Sequence, residues 1–343
     1  KQPAQWAADR VAEWYPNQPR DHFAKALDGG RRGDLLAEKL LSELSLNHNQ
    51  PVMARATALS LLQNYNREFS RESIETALRD KNPLIRLGAV RGAERLRPET
   101  RWQAAHHLLS HPLRAVRIEA GRLLAPVDPA TLNSGQRDTL DRAITEYISA
   151  QMVNGDRPEA HTNVGVTYSQ TRNFTKAEQA YLQALSLDPQ WVPALVNLAD
   201  LYRAQGRDAE GEPLLKRALD SDPNNPAIHQ AYGLWLTRQG RTQEALESLK
   251  RSAELAPETA RYWYVYGIAL NSTGQTSEAL QVLHRALDKF PENLDILYAL
   301  VTIHRDQGDV KSAVTYAENL AGLRPDQEYF QQLVKELREQ QRN

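Results

Sequence analysis

The stretch Ala260–Pro291, ARYWYVYGIALNSTGQTSEALQVLHRALDKFP, decides how this chain folds. Apolar or small residues recur at Trp263, Tyr266, Gly267 and Leu270, and again at Ala279, Leu283 and Ala286. That is the spacing of two amphipathic helices. Gly274 between them suits a left-handed helix terminus, and Pro291 stops the second helix because it has no N–H to continue the ladder. The pattern then repeats. Pro189, Pro223, Pro257, Pro291 and Pro325 stand 34 apart, and Gly206, Gly240, Gly274 and Gly308 keep the same interval. A helix-turn-helix unit of this size cannot bury its own apolar face, so neighbouring units must stack to make a core.

Counting each unit backward from its proline gives one register for all five. The first offers Val164, Gly165, Tyr168, Ala177, Tyr181 and Ala184. The second offers Leu195, Leu198, Ala199, Tyr202, Leu215 and Ala218, with Gly211 where the others have Ala. The third has Tyr232, Gly233, Leu236, Ala245 and Leu249, with Ser252 in place of an alanine, and the fifth has Leu297, Leu300, Val301, His304, Ala313, Ala317 and Leu320. These residues resemble the tetratricopeptide repeat (TPR), which has small residues at repeat positions 8 and 20 where its two helices cross. Backward extension predicts a lead-in helix over about 134–153, with Ala143, Tyr147 and Ala150 in register. Forward extension predicts a polar-faced capping helix from Asp326 to Arg342, with Tyr329, Leu333 and Leu337 on its buried stripe.

A second, shorter period precedes this array. Arg55, Arg86 and Arg117 are 31 apart, each followed three residues on by Ala58, Ala89 or Ala120 and preceded by Pro51, Pro83 or Pro112. The pattern resembles short HEAT repeats, with earlier helices expected at Leu35–Leu46, Glu72–Leu78 and Thr100–Leu109. The expected fold is therefore all-α, a helical-repeat solenoid: a HEAT-like module over 1–130, then a TPR domain over 131–343 with five repeats at about 158–325. The seam falls where Pro, Asp, Asn, Ser and Gly gather, at 126–135. Trp6, Trp14, Tyr15 and Phe23 make the segment 1–27 too aromatic for a disordered tail, and they are expected to pack on the first HEAT-like unit or on a partner domain.

With 41% hydrophobic and 25% charged residues in 343, the composition is that of an ordinary soluble protein, and no apolar run reaches the ~18 residues of a membrane span. Lys1 without an initiator Met suggests an excised or processed piece. Residues 1–130 hold 20 Lys and Arg against 15 Asp and Glu, and the remainder holds 22 against 28, a mild split of +5 and −6 that argues against a nucleic-acid surface. The absence of cysteine excludes disulfides, thiolate metal sites and covalent haem within the chain.

Few residues suggest chemistry. His107 and His111, with His106 adjacent, have i, i+4 spacing but no intervening Glu and no third ligand, so no metal and no cofactor is expected. Gly29-Gly30-Arg31-Arg32-Gly33 lacks the Lys-Ser/Thr of a phosphate loop and is expected to be an ordinary loop. Asn173-Phe174-Thr175 and Asn271-Ser272-Thr273 fit the glycosylation sequon. No constellation for catalysis stands out, so no enzyme is expected.

The TPR resemblance implies a concave face lined by the first helix of each repeat at positions 2, 5, 6, 9, 12 and 13. Position 6 gives Asn163 and Asn197, two rungs of an asparagine ladder that would bond an extended peptide's backbone. Asp200, Arg203, Arg238, Tyr264, Tyr298 and Arg305 complete the candidate groove, with Thr162, Val166, Gln170, Gln230, Leu234, Ile268 and Thr302 beside them. The Lys-Asn-Asn-Lys-Arg clamp for a terminal carboxylate is absent. The resemblance implies a non-catalytic scaffold for a protein or peptide partner, with no nucleic acid and no membrane span. The order of parts, together with Asp21–Leu27, Pro51–Tyr65 and Gln151–His161, also resembles the C-terminal half of bacterial multihaem cytochrome c proteins. That likeness implies a periplasmic location, the cytoplasm being the alternative, and a cytochrome c domain as a partner.

Overall fold

The computed structural model describes residues 4–14, 22–34, 36–65, 68–325 and 327–342, so Tyr15, Asp21, Leu35 and Asp326 lie outside the described residues. Every regular element among the described residues is helical. The chain divides into two compact units, 1–177 and 178–343, and the division falls within one helix.

In the first unit the helices are α1 Ala4–Trp14, α2 Ala24–Arg32, α3 Ala37–Leu46, α4 Val52–Leu61, α5 Glu68–Ala77, α6 Pro83–Gly92, α7 Pro98–Ala105, α8 Arg114–Leu124, α9 Ser134–Gln151 and α10 Pro158–Gln170. The helices α4, α6 and α8 begin at residues 52, 83 and 114, each 31 after the last, and each pairs with the helix before it. One apolar core runs from Ala26 to Ile144. The periodic arginines tie the turn inside each pair. Arg55 donates to the Ser45 carbonyl at 2.9 Å, Arg86 to the Asp80 carbonyl at 2.5 Å and Arg117 to the His111 carbonyl at 2.8 Å. Carbonyls left over at a helix end thus receive a charged donor instead of water. The first unit continues through 126–135. Val127 and Leu132 are buried there, Asn133 and Gln136 form a capping box, and a Cβ on Gly121 of α8 would come within 2.8 Å of the Ala143 backbone of α9.

One expectation for this unit needs correction. Gly29 to Arg32 are not a loop but the last turn of α2, because a Cβ at Gly29 would meet Ala37 at 2.9 Å and one at Gly30 would meet Leu41 at 2.8 Å. Small residues let α2 lie on α3, and only Gly33 takes a left-handed turn. Of the aromatic residues near the start, Trp6 and Trp14 are exposed on α1, which leaves the partner-domain alternative for them, while Phe23 packs against the core. The histidines lie at a helix end, where residues 106–110 form a 3₁₀ turn after α7. His106 Nδ1 lies 2.9 Å from the Trp102 carbonyl, His107 Nε2 lies 3.3 Å from the Leu78 carbonyl, and His111 Nδ1 accepts the Leu113 N–H at 3.1 Å.

The same repeat frame appears directly in the helix starts of the array. The first helices of the five repeats are α10, then α12 Val192–Ala204, α14 Pro226–Arg238, α16 Ala260–Ser272 and α18 Leu294–Asp306. The second helices are α11 Phe174–Leu187, α13 Gly211–Ser221, α15 Thr242–Leu255, α17 Thr276–Lys289 and α19 Val310–Leu323, and α20 Glu328–Arg342 caps the array. The helix α13 starts late, after a 3₁₀ turn at 208–210, because Pro213 cannot sit deeper in a helix. In the second unit, core clusters mix successive repeats. Leu283 and Ala286 pack with Ile296, Ala299, Leu300 and Ile303, and Leu297, Val301 and Ala317 pack with Phe330, Leu333, Val334 and Leu337. Tyr329 is not on the buried stripe of α20; Phe330 takes that place.

Gly206, Gly240, Gly274 and Gly308 end their helices at φ between 70° and 81°, and the first repeat places Arg172 there at φ 59°. A side chain in that conformation is strained. Arg172→Gly is expected to raise stability by about 0.5–1 kcal/mol, read as a higher urea midpoint at unchanged slope.

Candidate functional site on the first-helix face of residues 192–306

The repeat fixes which side chains the first helices present. Side chains at positions 7 and 11 point into the stack: Leu198, Tyr202, Leu236, Tyr266, Leu270 and Leu300 are buried. Position 4 ties α14 and α16 to the preceding loop, with His229 Nε2 2.9 Å from the Pro223 carbonyl and Trp263 Nε1 donating to the Pro257 carbonyl at 3.2 Å, while Leu195 and Leu297 at that position are buried. Positions 5 and 9 remain. On α14, α16 and α18 of the second unit, Gln230 at one of them is buried and Thr302 is half-buried, and the others, Leu234, Tyr264, Ile268 and Tyr298, form an outer stripe. Leu234 and Tyr298 are exposed at 37% and 38%, and Tyr264 and Ile268 are half-buried against α18.

The other candidate residues are largely occupied by neighbours. Arg203 donates to Asp200 at 2.7 Å on the same helix. Arg238 forms two bonds to Asp208, at 2.8 and 2.9 Å, and holds that carboxyl below the usual carboxylate range. Arg305 pairs with Asp306 at 2.9 Å. Each cation therefore comes with its own counter-ion, which leaves the stripe apolar and close to neutral. Tyr264 has its hydroxyl pKa raised, first by burial and then by Asp295. The Tyr298 hydroxyl lies 2.7 Å from that of Tyr329 on α20, so the end of the stripe leans on the cap. Asn197 is half-buried on α12. In the first unit, Asn163 is exposed on α10 and donates its amide to Gln151 at 2.9 Å. Thr162 and Gln230, also named as groove residues from the sequence, are buried.

Sequence reasoning overlooked a charged ladder along the second unit. Arg207 and Arg241 stand 34 apart and begin the turn into the second helix of their repeats. Arg207 donates to Glu178 at 2.8 Å and to Glu210 at 2.7 Å, and its guanidinium lies 4.2 Å from the Tyr202 ring centre. Arg241 repeats the arrangement with Glu212 at 2.6 Å and Glu244 at 2.8 Å. Each arginine thus joins a carboxylate of the preceding repeat to one of its own. Burial, then Glu178 beside it, pushes the Tyr202 hydroxyl up to about 12. The signal was present in the sequence, because Glu178 and Glu212, and Glu210 and Glu244, share the interval of the arginines.

Comparison with known proteins matches the same segment. One tetratricopeptide-repeat profile matches residues 168–234 and 270–337, and a second matches 236–293. The protein O-mannosyl-transferase TMTC3 of Homo sapiens is 33% identical over 107 residues, which is 27% of this chain and 11% of that protein. The Mus musculus protein of the same name is 32% identical over the same length. The chain spans about a tenth of these relatives, and the transferase activity in their name is theirs. Among solved structures, yeast Tom70 superposes with a TM-score of 0.58 at 15% identity, covering 91% of this chain and 72% of Tom70, a likeness of fold. YrrB, described as a TPR protein with an unusual peptide-binding site, has a TM-score of 0.42 at 20% identity over 55% of this chain and 96% of its own. The stretch from residue 168 to residue 337 is therefore an array of tetratricopeptide repeats.

Proposed function

We propose that this protein is a non-catalytic interaction scaffold that takes a peptide or protein segment on the first-helix face of the second unit. The observation that carries the reading is the stripe of Leu234, Tyr264, Ile268 and Tyr298, which the repeat keeps at the surface of α14, α16 and α18. Aromatic and aliphatic groups held by a rigid frame are the anchors that carry most of an interface's energy. Asn197 supplies an amide for the backbone of an extended ligand beside that stripe. The expected test result is that Leu234→Glu combined with Tyr298→Ala weakens the best ligand of a peptide array at least ~10-fold with helicity unchanged. Asn197→Ala should weaken binding by about 1 kcal/mol across different peptide sequences. Wild-type affinity in both variants would exclude this face.

In the finer reading, the helix pairs of the first unit are HEAT-like units, and function divides near residue 130 into a module over 1–130 and one over 131–343. The pairing arginines Arg55, Arg86 and Arg117 support the HEAT-like assignment. A second function follows from the order of parts: an accessory module docking a cytochrome c domain in a bacterial periplasm. The cytochrome reading is checked by the full-length gene, in which C-x-x-C-H motifs beside this segment support it and their absence removes it.

A further inference from the structure

Repeat position 11 is filled by Tyr168, Tyr202, Leu236 and Leu270 in the first four repeats and by His304 in the fifth. His304 is 8% exposed on α18, and its ring packs against both His284 of α17 and Tyr316 of α19, which also touch each other. The ring centres lie 5.7 Å apart for His284 and His304, 5.6 Å for His304 and Tyr316, and 5.9 Å for His284 and Tyr316. We propose that this three-ring cluster is an acid-sensitive fastener, holding the fifth repeat and the capping helix to the fourth repeat while the His284 imidazole is neutral.

The cluster is poorly built for a charge on His284. His304 Nδ1 faces the Asp309 carboxylate at 3.1 Å, which places its proton there and leaves Nε2 as a buried lone pair with no partner. His284 Nε2 lies 3.0 Å from the Tyr316 hydroxyl and, when neutral, accepts its proton. Protonating His284 reverses that bond and sets a positive charge against the buried His304 ring, whose centre is 5.7 Å away.

The remaining groups around the stack come from each packed element. Asp288 on α17 favours charging His284, but burial first and His304 second hold that imidazole below its ordinary range. Asp309, in the turn before α19, is kept ionised chiefly by Ser312. At His284 the folded chain therefore holds a proton less readily than the unfolded chain. Stability is fully present above the free-imidazole value of about 6.5 and is lost as pH falls below it.

The test is hydrogen exchange of the whole chain at about pH 7.5 and 5.5, corrected for intrinsic rates, on the unaltered protein and on His304→Tyr. Protection of α18–α20 is expected to fall by up to about tenfold per pH unit as His284 charges, while α14 and α15 change little. His304→Tyr restores the residue of the first two repeats, takes away the imidazole that a charged His284 would face, and should reduce that loss. Should it not fold, the comparison is made on His304→Leu, and the proton NMR titration of His284 is followed in the unaltered protein. An equal loss of protection in the variant, protection of α18–α20 that ignores pH, or a His284 midpoint at or above about 6.5 would each overturn the proposal.

Discussion

Gly267→Leu is expected to cost on the order of 1–3 kcal/mol, seen as a lower urea midpoint. A Cβ at Gly267 on α16 would sit 2.7 Å from both Cγ and Cδ2 of Leu283 on α17, and Leu283 is fully buried. The added side chain has nowhere to go unless the two helices part, and close-packed interiors tolerate such insertions poorly. The fifth repeat shows how the crossing can be filled differently. It carries Val301 where the fourth has Gly267, and Ala317 where the fourth has Leu283, and both are buried in one cluster. The volume has moved from the second helix to the first. Gly267→Val combined with Leu283→Ala should therefore cost clearly less than the sum of the single changes, of which Leu283→Ala alone should cost about 2–5 kcal/mol. Strict additivity in that cycle would show that the two positions do not meet.

Arg55→Ala should be the more severe change, about 3–5 kcal/mol, because it breaks a buried ion pair from one side. Arg55 is 6% exposed, donates to the Ser45 carbonyl of α3 and reaches Asp80 of the next helix pair at 3.3 Å. Its removal leaves a buried carbonyl and a largely buried carboxylate without their donor. Arg117 makes a similar bond to a preceding carbonyl, but it and its partner Glu146 are more exposed, so Arg117→Ala should cost only about 1 kcal/mol. Thermal unfolding of the two variants side by side checks the ranking, and equal losses would mean that burial is not what separates them.

The residues that made the fold legible are those whose effect is local to the chain. Pro189 through Pro325 and Gly206 through Gly308 stop helices wherever they stand, so the repeat frame could be read without knowing any contact. Arg172 in the glycine position and Gly29–Gly30 inside a helix could not be read that way. The first is set by the register of the repeat, and the second by how closely α2 approaches α3. The candidate site was legible as a list of positions and not as chemistry. Position counting placed Tyr264 and Tyr298 on the outer face, but it could not show that Asp208, from the preceding repeat's turn, would claim Arg238. It likewise missed that Asn163 would bond Gln151. Side-chain pairing across elements is a tertiary outcome, and a period in the sequence reveals it only when both partners repeat, as Arg207 and Arg241 do with their glutamates.

The central claim is that the ligand lies along Leu234, Ile268 and Tyr298, and photo-crosslinking tests it most directly. A photoreactive residue is placed in turn at Leu234, at Tyr298 and at Lys250, an exposed position on the second helix α15, and each protein is irradiated with the peptide selected by the array. Crosslinks from positions 234 and 298 with none from 250 are the predicted result. Crosslinking from 250 alone would contradict the account and move the binding surface to the second helices.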